Sequence, residues 1–226
     1  MPMKSVKHFT GDDILALPKA YRRTLVNSLN GYKSLCLCGT MNVEGTPNLS
    51  LFNSVIHVGA NPPLMGLLIR PDVVPRHTLT NMEATGAFTL NHVHEGIYHQ
   101  AHQASARYPG DVSEFEAVGL SPEYSRLRAP YVGEARVKIG LVVQERHRIL
   151  ANQTLFVVGR VEEVFVPGDA LRPDGFLDPE RAGSLAGAAL DGYYQGKRLA
   201  RLSYAKPDHD IREIDTDADL PDLTFL

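Results

Sequence analysis

Hydrophobic and polar positions along this chain follow two periods, and the change falls at Gly31. Before it, Tyr21, Leu25 and Leu29 recur at helical spacing within KAYRRTLVNSLN (19–30). That is one apolar stripe on a helix, with Pro18 suited to its first position and Gly31 as its stop. Just upstream, Thr10-Gly-Asp-Asp13 has the form of an N-cap followed by first-turn acids and predicts another, shorter helix. After Gly31 the period drops to two. SLCLCGTMNV (34–43) and TPNLSLFNSVIHV (46–58) flank Glu44-Gly45 and predict a hairpin. PLMGLLI (63–69), bounded by Pro-Pro and Arg-Pro, reads as a buried strand.

The period then alternates between helix and strand. HTLTNMEATG (77–86) predicts a helix stopped by Gly86, AFTLNHVH (87–94) a strand, and EGIYHQAHQASA (95–106) a helical segment. A turn-rich stretch follows, with one short helix at Glu114–Val118. Two long strands come next, YVGEARVKIGLVVQERHRIL (131–150) and QTLFVVGRVEEVFV (153–166), joined near Ala151-Asn152. Each alternates over much of its length and therefore has one buried face. The Ala/Gly-rich segment 178–194 reads as helical in part, and RLARLSYA (198–205) as a last short strand or extended piece. Six or seven strands, two of them long and antiparallel, with four or five helices, predict an antiparallel barrel with helices attached, not a βαβ sheet. No interdomain linker or repeat interrupts the chain. The expectation is one domain over 1–226, with N-terminal helices at about 10–30 and an acidic tail at about 208–226.

Composition narrows the function classes. A hydrophobic content of 43%, a charged content of 22% and a net charge of −3 are ordinary for a globular protein and give no reason to expect nucleic acid or an anionic membrane. The acids concentrate in the tail: residues 208–226 hold seven acids and only Arg212 as a base, −6, which leaves +3 elsewhere. No apolar run reaches membrane-spanning length and no secretory leader is apparent, so the expected compartment is the cytoplasm. Cys36 and Cys38, one residue apart, are poorly placed for a mutual disulfide and read as small buried side chains. The nucleotide-binding patterns GxGxxG and GxxxxGK[ST], the GxSxG elbow and HExxH are all absent.

Candidate chemistry gathers between Asn48 and His102. In a strand, Asn48, Ser50, Phe52 and Ser54 share one face, and Leu49, Leu51 and Asn53 the other. Small polar groups beside an aromatic suit a groove for a planar polar ligand. A solvated edge strand is the alternative. Arg76-His77-Thr78 follows Pro75 and opens a helix, where free N–H groups and the dipole favour a phosphate. An ordinary helix start is the alternative here. His92, His94, His99 and His102 could be metal ligands, but no recognised ligand spacing supports this, and lining of a groove or subunit interface is the preferred reading.

Taken together, GTMNVEGTPNLSLFNSV, the PP turn before LMGLLI, RHTLTNMEATGAFTLNHV, SARYPGDVSEFEAVGL, YVGEARVKIGLVV and RLARLSYA resemble, in order and spacing, the flavin reductase-like family of FMN-binding split-barrel proteins, which includes flavoredoxin. The resemblance spans roughly residues 20–205. It implies a mainly β fold with α additions: a six-stranded antiparallel split β-barrel with flanking helices, forming a homodimer with one FMN per subunit near the interface. By family position, Asn48, Ser50, Leu51, Phe52, Asn53 and Ser54 contact the isoalloxazine ring and ribityl chain. Arg76, His77 and Thr78 sit at the phosphate, Asn91 and His92 line the flavin, and Ser105 lies near it. The implied activity is an oxidoreductase passing hydride from NAD(P)H to flavin and on to an acceptor. A non-catalytic FMN electron carrier or flavin store is the alternative, and a histidine-based metal enzyme a third. Many members carry Gly-Gly after the Arg-Leu, where this chain has Ser203-Tyr204, and the N-terminal helices are longer than in minimal reductases.

Overall fold

Two 12-residue antiparallel strands form the spine of the molecule. The structure, a computed structural model, describes residues 5–71, 76–110 and 112–214, so Pro75 and most of the acidic tail lie outside the described residues. In chain order the elements are α1 (Gly11–Ala16), α2 (Lys19–Ser28), β1 (Lys33–Ser34), β2 (Cys36–Met41), β3 (Pro47–Phe52), β4 (Val55–Ala60), β5 (Pro63–Ile69), α3 (His77–Thr85), β6 (Ala87–His92), α4 (Tyr98–Gln103), α5 (Glu114–Val118), β7 (Pro122–Glu123), β8 (Tyr131–Val132), β9 (Lys138–Ile149), β10 (Thr154–Phe165), β11 (Leu185–Ala188) and β12 (Gly192–Gln195).

Seven strands pair antiparallel in the order β3-β2-β6-β9-β10-β5-β4. The two edge strands, β3 and β4, are consecutive in the chain and joined only by Asn53-Ser54. Two linking residues span about 10 Å at most, so the sheet has to curl until its edges nearly meet. Bulges in β10 against β9 and in β4 against β5 supply added twist. Ser34 Oγ, just before β2, donates to Val55 O of β4 at 2.7 Å, and Leu68 N to Ser54 O at 3.3 Å extends the β4–β5 pairing to the link; among the described residues β3 and β4 share no ladder. The result is a split barrel. The alternation of 46–58 runs unbroken through the link, so the sequence reads one strand there. The chain in fact turns at Asn53-Ser54 and contributes a strand to each edge, which makes seven strands of the expected six.

The strand periods place two apolar clusters on opposite faces of the sheet. Cys36, Cys38, Leu67, Phe88, Leu90, Leu141 and Val157 fill the barrel, joined by Leu79 and Met82 of α3. Leu37, Leu49, Val93, Ala101, Phe115 and Val132 pack outside it, beneath α4 and α5. Two glycines make the expected turns possible: Gly45 (φ 94°) in the β2–β3 hairpin and Gly86 (φ 71°), whose N–H bonds Met82 O and ends α3.

One expectation fails locally, the helical reading of 178–194. Segment 178–194 holds turns and the β11–β12 hairpin, which pairs with β1 in a second, three-stranded sheet. Its small residues serve close packing: a Cβ on Gly187 would sit 3.2 Å from Leu35 Cδ1. Tertiary contact here overrides helix propensity. Segment 198–205 forms only one isolated bridge, Leu202 with Glu213.

Candidate functional site

The site is built where α3 meets β3. Pairing registers decide which side chains share a face. Phe52, Cys36 and His92 lie in one row across β3, β2 and β6, and Leu51, Leu37 and Asn91 in the next. The first row faces the barrel interior, where Phe52 packs against its core. The second faces outward, and Leu51 packs against the outer cluster. Asn48 and Ser50 share the face of Phe52, as the alternation predicts. Ser54 lies beyond the end of the strand.

Helix α3 covers this polar face through a buried network. Asn48 Nδ2 donates to Thr40 Oγ1 at 3.1 Å and to Thr78 Oγ1 at 3.2 Å, and Thr78 Oγ1 donates to Ser50 Oγ at 3.2 Å. Asn81 Nδ2 reaches the same Thr40 hydroxyl at 3.2 Å. Asn48, Thr40, Thr78 and Asn81 are all buried, and such groups are stable inside only when bonded. The sequence singled out both the strand and the helix start, but not their direct contact. Thr40 and Asn81 carried no sequence signal beyond being polar within apolar elements. On the outer face of the edge strand, the buried Glu114 accepts the Leu49 N–H at 3.0 Å, so α5 fixes β3 from behind.

At the helix start, Arg76 holds the N-cap position without a capping side-chain hydrogen bond. Among the described residues its guanidinium makes only long contacts, to Pro71 O at 3.4 and 3.5 Å. The first-turn N–H groups of α3, without a capping side chain, and this guanidinium are therefore candidate donors to an anion. His77 lies against the loop after α4, where a Cβ on Gly110 would meet its Nε2 at 3.2 Å. That loop carries Ser105, which is exposed and donates to His102 O at 2.6 Å. At the other end, Asn53 Nδ2 donates to Ala189 O at 2.9 Å and Ser54 Oγ to Leu68 O at 2.8 Å. Both side chains hold the link between the barrel edges.

Asn91 turns away from the polar face. It is fully buried, with Nδ2 donating to Leu37 O and Thr89 Oγ1 and Oδ1 accepting from Val132 N. It lies on the opposite face from His92, and its side chain is engaged within the fold. The four histidines also separate. His92 Nδ1 pairs with Ser184 Oγ at 2.8 Å, and burial pushes its pKa down. His94 bonds Glu134 O through Nε2 and accepts Gly96 N–H at Nδ1. His99 lies tilted against the Tyr98 ring, and His102 bonds Tyr193 OH at 2.8 Å. Among the described residues, no three His, Cys, Asp or Glu converge as a metal site. Cys36 and Cys38 are buried and free, with desolvation raising both thiol pKa values, that of Cys36 to about 12.

The split barrel is a fold shared with known flavin proteins. The model of the flavin reductase like domain matches residues 33–188, and the chain belongs to that family. A split-barrel protein of Shewanella frigidimarina NCIMB 400, assigned as a flavin reductase, is 49% identical with a TM-score of 0.85 over 88% of this chain and 100% of that one. Flavoredoxin of Desulfovibrio vulgaris (Miyazaki F) is 25% identical with a TM-score of 0.66, over 76% of this chain and 91% of the other. A 101-residue stretch is 31% identical to an uncharacterised protein of Aquifex aeolicus (strain VF5), spanning 43% of this chain and about half (52%) of that relative. Among the described residues no helix is long and apolar enough to cross a membrane.

Proposed function

We propose that this chain is an FMN-dependent oxidoreductase that takes hydride from NAD(P)H and works as a cytoplasmic homodimer. The observation that carries the reading is the 3.2 Å contact of Thr78 with Ser50, which joins the start of α3 to the polar strand and makes one cradle of the two. The donor set fits FMN. At one end are uncapped helix N–H groups and the weakly engaged Arg76 guanidinium, suited to a phosphate. At the other are the β3 main chain, Phe52 and the neutral His92, in one row suited to a planar ring.

In this reading Arg76 and His77 hold the phosphate, and Thr78 positions the helix that presents the N–H groups. Ser50 lies between the two ends. Leu51, Asn53 and Ser54 contribute main chain, and Ser105 comes from the loop beside His77. Asn91 has no part. When bound, FMN supplies the redox chemistry, taking up hydride and passing electrons to an acceptor. The chain binds and orients it, and no side chain is assigned a proton-transfer role.

The test is titration of FMN into the purified protein, followed by NAD(P)H oxidation with added flavin as acceptor. Saturable binding that weakens on Arg76→Ala by about 1.5–3 kcal/mol is expected. Unchanged affinity in the variant puts the phosphate elsewhere. Binding without turnover above the free-flavin background favours the carrier or store.

A further inference from the structure

A cleft of about 500 Å³ opens on the outer side of the edge strand, between the β2–β3 turn and α5. Both of its walls are preset. On one side, Asn42 Oδ1 accepts the Thr46 N–H at 2.7 Å, and Gly45 N–H bonds back to Asn42 O at 3.2 Å. On the other, Glu114 clamps α5 to the Leu49 N–H of β3 at 3.0 Å, and Gly119 (φ 71°) ends the helix with its N–H on Glu116 O. The polar network that joins α3 to β3 lies on the opposite, barrel-facing side of the strand.

The lining is amphiphilic and negative. Pro47, Phe115 and Leu120 supply its apolar wall, and the exposed Glu44 and Glu116 supply two carboxylates. Neither carboxylate has a hydrogen-bond or ion-pair partner among the described residues, and no Lys or Arg lines the cleft. Ser113 is the third polar side chain. It holds the N-cap position of α5, yet its hydroxyl makes no capping bond, and Oγ is buried without a partner. A polar atom buried in this way is completed by a ligand atom or a water.

We infer that this cleft is a binding site for a small primary ammonium ion with an apolar body. The body lies on Phe115 and Leu120, the cationic head meets Glu44 and Glu116, and Ser113 Oγ accepts an N–H from it. The volume falls in the range of small-molecule sites, about 300–1,000 Å³. Two carboxylates and a hydroxyl match the three donors of a primary ammonium, and the same carboxylates repel an anion. Walls held in place before binding lose little freedom on it. The site stands apart from the flavin reading, because it lies behind β3 and not over its polar face.

The experiment is isothermal titration calorimetry of the full chain with 2-phenylethylammonium chloride. Saturable binding at a single site is expected, with a Kd of about 1 mM or tighter. 3-Phenylpropionate, with a similar body and the opposite charge, should not bind. Ethylammonium, which lacks the ring, should bind more than about tenfold more weakly. Glu44→Gln combined with Glu116→Gln, both at exposed positions, should weaken binding about tenfold, and Ser113→Ala about threefold; circular dichroism checks the fold. No binding of the amine, equal binding of the propionate, or full affinity in either variant overturns the site. The titration is repeated with saturating FMN, where amine binding should persist. Its loss there puts the amine in the cradle and overturns the cleft. FMN that fails to bind overturns the proposed function and leaves the cleft standing.

Discussion

Thr78→Val removes one hydroxyl and nothing else of consequence. The two side chains match in shape, so no cavity opens and α3 keeps its apolar contacts through Leu79 and Met82. Two hydrogen bonds are lost, one accepted from Asn48 and one donated to Ser50, both at 3.2 Å. A buried hydrogen bond contributes about 1 kcal/mol net, and a buried group left unpaired costs more. Asn48 keeps Thr40 at 3.1 Å, and Ser50 is half-buried and can turn to water, so the full penalty does not apply. The expected loss is about 1–2 kcal/mol, or a Tm lowered by about 3–6 °C in a chain of this size. Urea unfolding should show a lower midpoint with an unchanged m-value. Thr78→Ser, which keeps the hydroxyl and loses a methyl, is the control, with an expected cost of about 0.8 kcal/mol. FMN titration of the same proteins reads the second consequence: with its tie to β3 cut, the α3 start should hold the phosphate more weakly in Thr78→Val than in Thr78→Ser. Equal stability of Thr78→Val and wild type would refute the claim that this network joins helix to strand. Weaker stability with identical FMN affinity would refute the cradle.

Three further outcomes follow from the geometry. Cys36 and Cys38 should resist iodoacetamide in the native protein at pH 8 and react fully in denaturant, because burial raises both thiol pKa values; rapid native labelling would contradict their placement in the barrel. His92 has a folded pKa depressed by burial, so the unfolded chain binds its proton first, and stability should fall as pH drops below about 6.5, with His92→Gln flattening that slope; equal slopes in both proteins would show that another group is responsible. Glu114→Leu leaves the Leu49 N–H without its acceptor at 3.0 Å and should cost about 1–3 kcal/mol, whereas Glu114→Gln, which keeps an oxygen there, should cost less; equal losses would mean that packing, not the hydrogen bond, is what α5 contributes.

Periodicity carried most of the fold. The 3.6-residue stripe, the two-residue alternation and the stops at Gly45 and Gly86 are local, so β9, β10, α3 and α5 fall where the residues indicate. β9 does start later than the apolar run, at Lys138, after the 133–137 turn. Segment 178–194 differs from the helical reading because its alanines favour a helix in isolation, while its glycines disfavour one and allow the close approach of a hairpin to Leu35. The candidate site was legible in pieces. The polar strand and the helix start each had a chemical signature, while the histidine run, the loudest signal, dispersed into four separate contacts.

Residue order alone was enough for the element types and the opposed faces of β3, because each follows from spacing along the chain, and it carried a resemblance to a family of known fold. Tertiary structure decided what depends on distant partners. The Asn53-Ser54 link could be recognised as the seam of a split barrel only once the two edges of one sheet were seen to meet there. Asn91 could be separated from His92 only once the registers put neighbouring residues on opposite faces. Thr78 and Ser50, 28 residues apart, form one structure only because the curled sheet brings α3 down onto its own edge strand.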